Sequence, residues 1–182
     1  MDIEQGVNKF QWTSSIRDYT FKNDYTYYLN PQNQIKFGGI FSYHNFKPGS
    51  IKTFENKNNI DLQENNTLEY ALYLSNEQKV KSRLTLNYGI RFSAYHNIGE
   101  SKVFEYDENY KVKAYKEYKK GEIYNTNLGL EPRLSSVYVL NELSSVKGSY
   151  SRTRQYVQLA SNSSAGMPTD VWFPVSPNIK PQ

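Results

Sequence analysis

From Arg83 to Tyr95 the chain alternates between two kinds of residue. Leu84, Leu86, Tyr88, Ile90, Phe92 and Ala94 fall in one phase, and Arg83, Thr85, Asn87, Gly89, Arg91, Ser93 and Tyr95 in the other. A period of two sends each set to its own side of an extended backbone, so the stretch predicts a β-strand. The pattern holds for about twelve residues, whereas strands of globular proteins run to about five or six. A strand of that length, apolar on one face and charged on the other, suits a wall with lipid outside and water inside.

The pattern recurs in five other places. Strands are predicted at about 16–29, 35–46, 66–75, 83–96, 127–140 and 145–158. Tyr19, Phe21, Tyr25, Tyr27 and Leu29 share a face in the first, with Asn23 as an exception. Ile35, Phe37, Gly39, Phe41 and Tyr43 do so in the second, and Leu68, Tyr70, Leu72 and Leu74 in the third. The fifth carries Leu128, Leu130, Leu134, Tyr138 and Leu140 opposite Glu131, Arg133, Ser135, Val137 and Val139. The sixth has Val146, Gly148 and Tyr150 on its apolar phase. Pro132 lacks a ladder donor and predicts a bulge or a late strand start.

The connections alternate in length. Asn30–Gln34, Asn76–Ser82 and Asn141–Ser144 read as tight turns, while 47–65, 97–125 and 159–182 read as long loops. Residues 1–14 read as the end of a preceding loop. Membrane barrels have short periplasmic turns and long extracellular loops, so the long connections are expected outside the cell. The predicted fold is therefore all-β: an antiparallel up-and-down meander of about six long strands, a partial segment of a transmembrane β-barrel.

Composition alone fits a soluble β-sandwich as well as a barrel. With 17 Tyr and 9 Phe against 2 Met, aromatics carry much of the apolar surface. The net charge of +4 comes from both signs spread along the chain, and the longest connection holds six lysines and six acidic residues. No basic run points to nucleic acid. With no cysteine there is neither a disulfide framework nor a thiolate metal site. The first residues, Met1-Asp-Ile-Glu-Gln-Gly, have no secretory-signal pattern. An outer-membrane protein needs such a signal, so on the barrel reading the chain is not a complete precursor.

The search for chemistry yields little. His44 and His96 are the only histidines and make a weak metal pair, so no metal site or other cofactor is expected. Asp107-Glu108 sits in a long polar loop and reads as a solvated turn. No nucleophile–base arrangement or phosphate loop is recognisable, so no catalytic residues and no enzyme activity are expected. Glu69, Arg91, Glu131 and Arg133 belong to the lumen-facing phase. They read as a charge ladder across the wall ahead of contacts to passing solute. Trp172 and Phe173, with Arg152 and Arg154, are loop candidates for ligand contact.

Three segments resemble TonB-dependent outer-membrane receptors of the kind common in Bacteroidetes-type bacteria. Leu86-Asn-Tyr-Gly-Ile-Arg-Phe-Ser-Ala-Tyr95 is similar to a strand of that family. So are Leu130-Glu-Pro-Arg-Leu-Ser135 and the stretch from Leu140-Asn-Glu to Lys147-Gly-Ser-Tyr-Ser-Arg152. Asn178-Ile-Lys-Pro-Gln182 resembles a segment that ends in Glu there and in Gln here. Ser161–Ser164 and Pro168–Trp172 also look family-like. The resemblance implies a barrel wall whose partners are outer-membrane lipid, a plug domain and a TonB-type energising complex. It implies uptake of a scarce solute of unknown identity. Plug and energising-contact sequences are absent from the chain, and six strands fall short of the eight that begin the closed-barrel series, which predicts a barrel-wall fragment. The rival readings are a passive outer-membrane barrel and a soluble β-rich binding or adhesion domain.

Overall fold

A computed structural model describes residues 2–5, 8–53, 60–160 and 171–182. Asn58, Asn59, Ser161–Ser164 and Pro168–Asp170 lie outside the described residues. In chain order the strands are β1 (Asp2–Gln5), β2 (Asn8–Asn30), β3 (Asn33–Thr53), β4 (Ile60–Asp61), β5 (Asn65–Val80) and β6 (Leu84–Ile98). They continue with β7 (Ser101–Tyr106), β8 (Val112–Tyr118), β9 (Ile123–Asn141), β10 (Ser144–Ser151), β11 (Val157–Leu159) and β12 (Trp172–Pro174). The main sheet is antiparallel in the order β1-β2-β3-β5-β6-β9-β10, with β4 beside β3. Its six principal strands therefore neighbour one another in sequence order, as the alternation predicts.

The strands exceed their expected limits. β2 begins at Asn8 and pairs with β1, so residues 1–14 are largely strand and not loop. β3 runs on through Lys47–Thr53, where the sequence predicts a loop. Polar residues end a hydrophobic pattern without ending a ladder, and β2 and β3 rise together past their apolar faces. The turn assigned to Asn76–Ser82 is narrower, because Asn76–Val80 still pair with Leu84–Tyr88 and only Lys81–Arg83 turn. The other two tight turns share one device. The side-chain oxygen of Asn30 accepts from the Gln32 N–H at 3.0 Å, and that of Asn141 accepts from the Leu143 N–H at 3.0 Å.

The sixth strand stops at Ser151, not near 158. Pro132 supplies the reason. It pairs with Ile90 of β6 in unbroken register, so the expected bulge does not form. Its carbonyl faces β10, where it accepts from the Arg152 N–H at 3.0 Å. A residue in a strand aims its N–H and C=O to the same side, so the missing donor of Pro132 faces β10 as well. The returning bond to Arg152 cannot form, and β10 leaves the sheet there.

The two faces separate cleanly. Leu72, Leu74, Phe92, Leu128 and Leu130 are exposed on one, with Tyr19, Phe21, Tyr25 and Tyr27. Phe41 and Tyr70 pack at 5.2 Å between ring centres, and Tyr25 stacks on Phe37 at 5.3 Å. The opposite face holds the buried positions Ser42, Phe46, Thr67, Ala71, Ser93, Tyr95, Asn97 and Glu131. An apolar face left open and a polar face buried invert the arrangement of a water-soluble sheet.

Candidate functional site

The inner, polar face is laid out in tiers by the strand register. The highest tier crosses Asp18, His44, Thr67, Asn97 and Asn125; the next crosses Thr20, Ser42, Glu69, Tyr95 and Asn127. Below it come Lys22, Ile40, Ala71, Ser93 and Gly129, then Asp24, Gly38, Tyr73, Arg91 and Glu131. The upper end is that of the long connections.

A charge ladder runs through the upper tiers. His44 Nδ1 lies 2.7 Å from Asp18 Oδ1, and its Nε2 lies 3.8 Å from Glu69 Oε2. Arg91 Nη2 donates to Glu69 Oε1 at 3.1 Å. The pairs tie β2 to β3, β5 and β6. Lower down, Lys22 meets Asp24 at 2.7 Å, and the Tyr73 hydroxyl donates to the same carboxylate.

The upper inner face is closed by the chain that follows β10, called the strap here: residues 152–160 and 171–182, with β11 paired to β12. Tyr156 enters the concave side and stacks on Tyr95, with ring centres 4.8 Å apart and 12° between planes. Its hydroxyl lies 2.8 Å from Ser93 Oγ, and Ser93 Oγ lies 2.8 Å from Glu131 Oε1. Ser93 has one proton and Glu131 takes it, so Tyr156 is the donor to Ser93. Val175 is fully buried, and its carbonyl accepts from Asn97 Nδ2 at 2.7 Å. The seat exists because one tier is built of small residues, Ala71, Ser93 and Gly129. A Cβ on Gly129 would stand 2.7 Å from the Tyr156 hydroxyl and 2.5 Å from Ser93 Oγ.

Among the described residues Glu131 is the most enclosed charged group, 1% exposed. Its Oε1 is held by Ser93, while Oε2 has only Arg133 Nη2, 4.0 Å away. A buried carboxylate with one weakly met oxygen depends on that cation.

The long connections interlock above the wall. β7 and β8 form a separate hairpin, in which Lys102 Nζ sits 3.5 Å from the centre of the Tyr115 ring. Gln63 Nε2 donates to Ser101 Oγ at 2.7 Å, and Asn178 Nδ2 of the strap donates to the Phe104 carbonyl at 2.9 Å.

The site residues read from sequence fall in two groups. Glu69, Arg91, Glu131 and Arg133 are brought together on the inner wall. Arg154 lies across Gly129, its Cδ 2.9 Å from where a Cβ would be. Trp172 is exposed and Phe173 half-buried on β12, and Arg152 is exposed where β10 ends. They do not converge on one pocket. His44 is on the inner face, whereas His96 shares the outer phase of Phe92 and Ala94, bonds Thr126 Oγ1 at 2.8 Å and meets Tyr70 edge-on. Among the described residues no cluster of three metal-ligating side chains occurs. The alternation alone did not single out Tyr156 and Val175. The inward run of small residues was the available signal.

A family model for an outer membrane beta barrel domain matches residues 2–180. The chain belongs to the outer membrane beta barrel domain family. The barrel domain is accordingly a protein of the bacterial outer membrane. No curated protein and no solved structure matches it.

Proposed function

We propose that this barrel domain is part of the wall of a TonB-dependent receptor that takes up a scarce solute, working with a plug domain and an inner-membrane energising complex. The long connections are then extracellular. The observation that carries the reading is the strap. An outer loop folds inward, and its buried residues Tyr156 and Val175 lie against the inner wall. A passage occluded in this way fits a solute that is captured and then moved by work better than free diffusion. The three segments similar to such receptors support the same reading.

A passive barrel is the second reading, favoured by the lower inner wall, where a cavity of about 640 Å³ stands open beneath the strap. Solute accumulation in intact cells, with and without a protonophore, separates the two. Uptake that collapses with the proton gradient supports the receptor; uptake indifferent to it establishes the passive pore. Labelling single cysteines in intact cells tests sidedness: Asn109→Cys is expected to react with an impermeant maleimide and Asn33→Cys is not.

A further inference from the structure

One tier below Arg91, the register sets Thr26, Lys36, Ser75, Gly89, Arg133 and Ser151 side by side. All six line the 640 Å³ cavity of the open lower wall. The tier is unlike those above it. Lys22 and Arg91 each have a carboxylate within 3.1 Å. Lys36 is exposed and meets no carboxylate among the described residues. Arg133 is 55% exposed; one nitrogen stands 4.0 Å from Glu131 Oε2, the limit of an ion pair, and the rest of the guanidinium is open to the cavity. The floor between the two cations is low. Gly89 has no side chain, and Ser75 packs against it, its Cβ 2.6 Å from where a Gly89 Cβ would stand, so only a short hydroxyl side chain rises there between the two cations. Lys36 and Arg133 stand three strand spacings apart, about 14 Å, which two long side chains reaching inward can span around a small guest. Hydroxyls of Thr26, Ser75 and Ser151 complete the row. Of the acids lining the cavity, Asp24 is taken by Lys22 and Tyr73, leaving Glu77 one tier lower.

We infer that this tier is an anion-binding station in the lumen, taking a phosphate or carboxylate group of the transported solute between Lys36 and Arg133. The inference rests on the uptake reading for its solute, and the station itself is a matter of charge and geometry. A planar guanidinium grips two oxygens of such a group, and an ammonium adds a point charge from the other side. Neutral sugars lack the charge that would repay desolvating the two cations.

Ser75→Cys places a reporter on the floor. In isolated outer membranes its maleimide labelling rate is measured against rising pyrophosphate, succinate and, as a neutral control, trehalose. Protection by pyrophosphate or succinate but not by trehalose is expected. Which of the two protects better identifies the anion. Lys36→Gln or Arg133→Gln should each raise the protecting concentration about tenfold, the worth of one charged hydrogen bond. No protection by either anion, or protection unchanged in both variants, overturns the station. A thiol that stays unreactive whatever is added, and opens only in the variants, would mean that an acidic protein segment fills the tier, which also overturns it. Intact-cell accumulation of the protecting anion, with and without a protonophore, is scored separately. Protection without energised uptake upholds the station and sinks the receptor reading.

Discussion

The upper and lower halves of the inner wall are made from the same strands with the same alternation, and they end in opposite states. In the upper half Ser93, Tyr95 and Asn97 are completely buried under the strap. In the lower half Lys36 is exposed and Arg133 more than half exposed, over an open cavity. A period of two only assigns side chains to faces. Whether the inner face is filled depends on what the chain folds onto it. Ala71, Ser93 and Gly129 make a seat that the Tyr156 ring fills, whereas the low floor of Ser75 and Gly89 between Lys36 and Arg133 stays open.

The largest effect should come from removing the ring that closes the upper half. Tyr156→Ala deletes a stacked ring and the hydroxyl on Ser93 and should weaken strap docking by about 3–5 kcal/mol. Hydrogen exchange at Val157–Leu159 and at Trp172 and Phe173 should rise accordingly while exchange in β5 and β6 stays constant. Unchanged exchange in the strap would mean that the two halves do not differ as described.

A second contrast sets inside against outside on a single strand. Ile90→Arg places a charge on the lipid face near mid-membrane and should cost about 2–4 kcal/mol in folding titrations from denaturant into lipid. Thr85→Arg, in the inner phase, should cost little. Equal costs would abolish the distinction between the faces.

The third prediction sharpens the role of tier size. Gly129→Ala should destabilise by about 1–3 kcal/mol, since its Cβ would collide with Ser93 and Tyr156. Gly148→Ala meets nothing closer than 3.8 Å and should be tolerated. A tolerated Gly129→Ala would show that the strap adjusts to its seat.

Much of this fold was legible in the chain. The alternation from Leu84 to Ala94 gave the strand, its faces and its partners, because period and length are local properties. Strand ends were less legible. β3 continues through Lys47–Thr53 because β2 beside it offers ladder partners, and no residue in that stretch announces it. Pro132 predicts a disruption of the ladder, but the disruption falls on the β10 side, which only the register reveals. The site was legible as far as Glu69, Arg91, Glu131 and Arg133 facing inward together. The strap was not, since Tyr156 and Val175 lie in a stretch without periodicity and meet the wall through contacts 63 and 78 residues away in sequence, at Ser93 and Asn97.

The smallest effect should come from the rim. Lys47 Nζ lies 2.6 Å from Glu64 Oε1, both half-exposed, and holds the Glu64 carboxyl below its ordinary value of 4.5. With a depressed folded pKa, the pair's contribution is present above 4.5 and fades as pH falls through the folded value. Screened by solvent, it amounts to a few tenths of a kcal/mol. Glu64→Gln should therefore leave stability at neutral pH almost unchanged and flatten a slight loss on acidification.

The early departure of β10 has a consequence for the surrounding bilayer. From Glu131 up to Ile123, β9 has β6 on one flank and no strand partner on the other among the described residues. That leaves a lateral notch about nine residues tall, with the exposed apolar side chains of Leu128 and Leu130 at its lower end. Bare backbone amides there would face a solvent that cannot bond them, at several kcal/mol apiece. An extended segment pairing with β9 above Pro132, with β10 taking over below it, would satisfy those amides.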